Sequence, residues 1–263
     1  MAADRVAALR RERDDVLAFC RLLADDEWKV PSGCLGWSVQ DVVAHMTATV
    51  HGVFTPWLIK LIRSKDLERN NDADVEARRD RSPAEVLAEY ETWSGRLPAL
   101  LQAGQLPGLK MVPFPIAEIG RYPLALIASA FLFDHHTHLR HDLAPALGRP
   151  SPPTDEGRMA VVIEWMLAGL PQMCRESLSF IDRPVLLTLE GPGGGTWAVV
   201  PRPGGGRVEV RTGPTVGAVA HVTGVAEEFP VWGTTRRPWR EHDLKLEGDE
   251  AYAARFLDAV KIV

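Results

Sequence analysis

Cysteine is scarce in this chain. Its 263 residues include three, Cys20, Cys34 and Cys174, far apart in sequence. An odd number without close spacing builds neither a disulfide framework nor a thiolate metal site, and it fits a reducing compartment. Positive charge is also in short supply. Thirty Lys and Arg stand against 35 Asp and Glu, for a net charge of -5. Binding to a phosphate backbone needs clustered positive charge, so no nucleic-acid partner is expected. The short basic runs at 78–81 and 234–240 read as solvated. Long hydrophobic runs are lacking. The longest, YPLALIASAFLF (122–133), is too short to span a bilayer and ends in charge. The first fifteen residues carry charge throughout and lack the apolar stretch of a signal peptide. The expectation is a soluble, cytoplasmic protein without a membrane partner. No G-x-S-x-G elbow occurs, and no glycine-rich loop opens a helix after a strand. Serine hydrolysis and phosphate cradling therefore have little support.

Residues 1–178 read as a helical region. A ragged apolar stripe marks a helix over 4–24. Ser38, with Asp41 three residues on, predicts a capped second helix, and Trp37 just before it suits a hydrophobic staple. Pro56 kinks or stops that helix. The polar stretch 70–82 reads as a loop. Ser82, Pro83 and Glu85 predict the start of a third helix. Three glycines and three prolines make 104–121 irregular. A fourth helix is predicted over about 122–146, stopped by Gly148 and Pro150, and a fifth over 155–177.

The composition then changes. VLLTLEG, TWAVVP and RVEVR read as three antiparallel strands joined by glycine-rich turns. AVAHVTGVAEEFPVWGTT adds a fourth strand and a helix start, and 249–260 forms a closing amphipathic helix. The expected fold is a mostly α bundle, 1–178, followed by a small α+β domain, 179–263.

Four of the eight histidines fall within residues 135–141, flanked by Asp134 and Asp142. Positions four apart share a helical face. One face therefore carries Asp134, His138 and either His141 or Asp142, while His135 and His136 point elsewhere. A carboxylate and an imidazole so placed reach one point above the turn, and divalent first-row metals accept that N/O mixture. A further ligand has to come from a neighbouring helix. His45, among Val42, Val43 and Met46, is the natural candidate. His51 lies six residues on and faces differently. A hydrogen-bonded core histidine or a solvated histidine face is the plainer reading of the same residues.

GWSVQDVVAHM, followed some ninety residues later by DHHTHLRHDLAPALGRP, resembles the DinB/YfiT-like metalloenzyme superfamily. Within it, the chain is most similar to the mycothiol-dependent maleylpyruvate isomerase family of actinobacteria. That resemblance implies a four-helix metal-binding bundle followed by a domain similar to sterol carrier protein 2, which FPVWGTTRRPW and LEGDEAYAARFLDAVKI resemble. It places the family's first metal histidine on His45 and its later Glu-x-x-x-His pair on Asp134 and His138, with Asp replacing Glu. It also implies a divalent metal such as Zn²⁺, and a low-molecular-weight thiol, mycothiol, as cosubstrate. The implied activity is thiol transfer or isomerisation on a small electrophile. Arg236 and Arg237 are candidates to hold a substrate carboxylate, or else they form a solvent-facing turn. The alternative is a non-catalytic binding protein for an apolar small molecule or lipid. The expected assembly is a monomer or homodimer.

Overall fold

Short acidic and hydroxyl side chains set the helix starts, as a computed structural model describing residues 4–263 shows. Asp4 accepts from the Ala7 amide and opens α1 (Arg5–Cys20). Ser38 accepts from the Asp41 amide while the Asp41 carboxylate accepts from the Ser38 amide, so the predicted capping box opens α2 (Val39–Gly52). Pro56 precedes α3 (Trp57–Arg63), whose axis turns 98° from α2. Pro56 thus belongs to a break between helices. The Ser82–Glu85 box opens α5 (Pro83–Ala103), also as predicted.

The stretch expected to be a loop at 70–82 is helical over 70–76, within α4 (Leu67–Glu76), capped by Asp66, and forms turns and irregular chain over 77–82. Only Val75 among its residues is fully buried. Its support is tertiary and polar. Asp72 accepts the Trp37 indole N–H at 3.1 Å, and Asp74 accepts the Trp57 indole N–H at 2.6 Å. Residues 104–121 contain a short hairpin as well as irregular chain, with β1 (Pro113–Ile116) paired antiparallel to β2 (Gly120–Pro123).

The predicted helix over 122–146 is not one regular helix. It comprises a 3₁₀ turn at Leu124–Leu126, α6 (Ile127–Thr137), a π-helical segment at His138–Leu143 and a 3₁₀ turn at Pro145–Leu147. Gly148, at φ 62°, ends it in the left-handed conformation. In the wide turn, the Ala144 amide donates five residues back to the Leu139 carbonyl. A regular α-helix would set the Pro145 ring against the His141 carbonyl, and the wider turn relieves that conflict. Arg140 in this segment is buried and pairs with the fully buried Glu12 of α1.

The chain divides into two compact units, one ending at Pro153 and one running Thr154–Val263. The change from helical to strand-forming sequence comes later than this division. The second unit begins with α7 (Glu156–Met173), capped by Asp155, which packs on the strands and helices that follow. Its five-stranded sheet runs β5 (Val208–Thr212), β4 (Gly195–Pro201), β3 (Val185–Glu190), β6 (Ala220–Val225), β7 (Lys245–Gly248). β3, β4 and β5 form the predicted antiparallel meander. β6 joins parallel to β3, and β7, which the sequence reading lacked, joins antiparallel to β6. α8 (Phe229–Gly233) and α9 (Glu250–Ala259) complete a mixed α+β unit. Among the described residues no single helix is long and apolar enough to cross a membrane.

Replacing Arg140 by Leu removes the guanidinium that pairs with the buried Glu12 carboxylate. Removing one partner of a buried ion pair costs about 3–5 kcal/mol, and urea unfolding should show a loss of that order. The Glu12→Leu/Arg140→Leu double variant should regain most of it. A single variant within about 0.5 kcal/mol of the parent, the range of an ordinary surface substitution, contradicts this account.

Candidate metal centre

The site is built where the loop ahead of α2 meets the π-helical segment. The Gly33 amide donates to the Asp142 carbonyl at 3.0 Å, and Val39 N–H donates back to the Val30 carbonyl. Ser32 Oγ donates to the Trp37 carbonyl and accepts from the Cys34 amide. The approach at Gly33 leaves no room for a side chain. A Cβ there would lie 2.8 Å from Asp142 Oδ1, 2.9 Å from Asp142 Cα and 3.1 Å from the His141 carbonyl oxygen.

α2, α6 and the π-helical segment then bring three side chains to one point. His45 Nε2 lies 3.1 Å from Asp134 Oδ1, and His138 Nε2 lies 3.5 Å from the same oxygen. One donor atom from each residue lies within 4.8 Å of the other two. A tetrahedral ion with ~2.1 Å bonds separates its ligands by roughly 3.4 Å, so the two nitrogens and one oxygen fit a zinc-like cation. His45 is buried, and its ring meets those of His138 at 5.1 Å and Trp37 at 5.2 Å. About a quarter of the Asp134 side chain remains exposed, while its Oδ2 is buried without a hydrogen bond. The Asp134 carboxylate faces both imidazoles.

His138 uses both ring nitrogens. Its Nδ1 lies 2.7 Å from Asp142 Oδ2 and 3.7 Å from Cys34 Sγ. A carboxylate on the nitrogen that does not ligate is the usual orienting partner of a metal-binding histidine. Burial opposes charge on His138, but hydrogen bonds with Asp134, Asp142 and Cys34 outweigh it and hold its pKa well above the imidazole range. Burial likewise opposes charge on Asp134. The facing imidazoles of His45, His135 and His138 prevail and keep its carboxyl well below the usual range.

The remaining histidines stand apart from this set. His135 is buried, its Nδ1 3.3 Å from Asp134 Oδ2 and its ring against Tyr90. His136 is buried, and His141 is half-buried. Neither supplies a donor to a metal-sized cluster among the described residues. His51 lies in a different network, bonded to Glu89 at 2.6 Å and stacked on Trp93. Arg236 and Arg237 belong to the second unit, where Arg236 donates to Thr234 Oγ1 and Arg237 is exposed. The sequence reading missed Cys34 and weighed Asp142 only as a face-mate of His138. The available signal was PSGCLGW, a glycine-framed cysteine directly ahead of the helix that carries His45.

Residues 9–109 match the family described as Mycothiol maleylpyruvate isomerase N-terminal domain, a span that includes His45 and ends before Asp134. Two uncharacterized proteins of Mycobacterium tuberculosis, from strains CDC 1551 and H37Rv, are each 28% identical over 263 residues. The alignment covers 94% of this chain and 90% of each relative. The fold is similar to that of a mycothiol-dependent maleylpyruvate isomerase. The TM-score is 0.56 at 13% identity, over 89% of each chain. A histidine-to-alanine mutant of such an isomerase matches with a TM-score of 0.57 at 12% identity, over 93% of this chain and 92% of that one.

Gly33→Ala tests the seam between loop and π segment. The added carbon meets backbone as well as side chain, so the loop has to move away. Such overpacking costs about 1–3 kcal/mol. We expect that loss by thermal or urea unfolding, together with faster hydrogen exchange at the Gly33 and Val39 amides. Unchanged stability and protection would show that the seam is not tight.

Proposed function

We propose that this protein is a metal-dependent, thiol-using transferase or isomerase, a reading supported by the match of residues 9–109 to the mycothiol maleylpyruvate isomerase N-terminal domain family. Its substrate on this reading is a small electrophile, and its cosubstrate is mycothiol or a similar low-molecular-weight thiol. The observation that carries the reading is the convergence of His45, Asp134 and His138 on one point. A bound divalent cation such as Zn²⁺ supplies positive charge that favours the thiolate form of an incoming thiol, and the thiolate is the nucleophile.

The chain's own residues prepare that step. His45 and His138 offer ring nitrogens, and the Asp134 carboxylate offsets the charge between them. With a cation bound, Asp142 would take the Nδ1–H of His138 and leave Nε2 facing the point it shares with Asp134. Asp142 is thus a positioning residue. Trp37 lies against one side of His45 and limits water there. Addition of the thiolate to a conjugated double bond, rotation about the resulting single bond and elimination of the thiol give isomerisation. Addition followed by protonation at carbon gives a thiol adduct.

Elemental analysis of untagged protein is the first test. The parent should hold about one divalent ion per chain, and open catalytic zinc sites with three protein ligands set that expectation. His45→Ala and His138→Ala should lose the ion while keeping their helical circular dichroism. Asp142→Asn should retain the site with metal affinity lowered about 10–100-fold, the usual effect of removing an orienting partner. Thiol-dependent turnover of an electrophile should fall in parallel. A parent that binds no metal, or a His45→Ala variant that holds it undiminished, rejects the proposal.

A further inference from the structure

We infer that Cys34, His138 and Asp142 form a second cation site, selective for soft metal ions, that cannot be filled together with the site at His45 and Asp134. The inference shares His138 with the proposed metal centre but does not depend on the thiol-transfer reading. Its donors are one sulfur, one nitrogen and one oxygen, all within 4.8 Å of one another. Cys34 Sγ stands 3.7 Å from His138 Nδ1, and Asp142 Oδ2 stands 2.7 Å from the same nitrogen. Thiolate selects soft ions, whereas the two imidazoles and carboxylate of the other set suit borderline ones.

The placement of the thiol is built in. Gly33 is hydrogen-bonded to the Asp142 carbonyl, which sets the next residue, Cys34, beside the Asp142 side chain. Cys34 is half-buried, so an ion in solution reaches it, while Cys20 and Cys174 are buried.

Exclusion follows from the imidazole. A neutral histidine carries one N–H and one lone pair. With Nε2 ligating, the proton sits on Nδ1 and is donated to Asp142. With Nδ1 ligating, the proton sits on Nε2 and is donated to Asp134 Oδ1, 3.5 Å away. Each tautomer has a carboxylate to receive its proton, so both sites are usable, one at a time. A soft ion at Cys34 therefore withdraws His138 from the first site and inhibits whatever chemistry occurs there.

Cadmium is the probe. Titrated into metal-free parent protein, it should bind at one equivalent and give sulfur-to-cadmium charge-transfer absorption in the ultraviolet. Cys34→Ser should still bind one equivalent, now at the nitrogen and oxygen donors, without that absorption. His45→Ala should keep the absorption, and His138→Ala should lose it. A measurement on the parent alone guards against variants that fail to fold. Cadmium should slow alkylation of Cys34 by iodoacetamide about tenfold or more, since thiolate availability governs that rate. Cadmium bound without the absorption and without protection overturns the soft site. Two equivalents bound at once overturn the exclusion. Loss of all binding in Cys34→Ser, with the absorption intact in His45→Ala, would remove the first site and leave this one standing.

Discussion

A carboxylate enclosed by imidazoles has to be neutralised where it stands. Asp134 faces His45 across the interface of α2 and α6, His138 one turn further along, and His135 beside it. Burial by itself works against charge there, and the facing imidazoles reverse that balance. Protons shared with the histidines and a divalent cation are two ways to supply the same positive charge, and they compete. Much of the local architecture holds this one oxygen and two nitrogens in register.

That register is set at some distance from the donors. The Ser38–Asp41 box fixes the first turn of α2 and so the height at which His45 meets α6. Trp37 packs on His45 while its indole N–H is held by Asp72 of α4, which links a polar surface helix to the centre. On the other side, the buried Arg140–Glu12 pair ties the π-helical segment to α1. Short π-helical segments often sit at functional sites. Here the segment carries His138 and Asp142, and its Asp142 carbonyl accepts the Gly33 amide of the loop.

How far the sequence disclosed this depended on whether each signal was local. The capping boxes at Ser38 and Ser82, the break at Pro56 and the stop at Gly148 rest on side chains within a few residues, and all were legible. Asp134 and His138 were legible as a pair because four residues make one face. His45 was chosen over His51 from its apolar neighbours and from the family resemblance. The polar residues of α4 gave no such signal, because partners more than fifteen residues away, Trp37 and Trp57, stabilise them. β7 escaped notice because KLEG gains its strand pairing from β6 alone. The π turn could not be read from periodicity, since it arises where Pro145 conflicts with the preceding turn. Cys34 was set aside because isolated cysteines rarely form sites by spacing. Its neighbour His138 lies more than a hundred residues away.

X-ray absorption at the zinc edge, on protein loaded with one equivalent of zinc, addresses the central claim most directly. The first shell should be nitrogen and oxygen at about 2.0–2.2 Å, with outer-shell scattering from two imidazoles. His45→Ala should remove one of those imidazoles. A sulfur neighbour at about 2.3 Å, or a shell without imidazole, would contradict the assignment of His45, Asp134 and His138 as the metal's ligands.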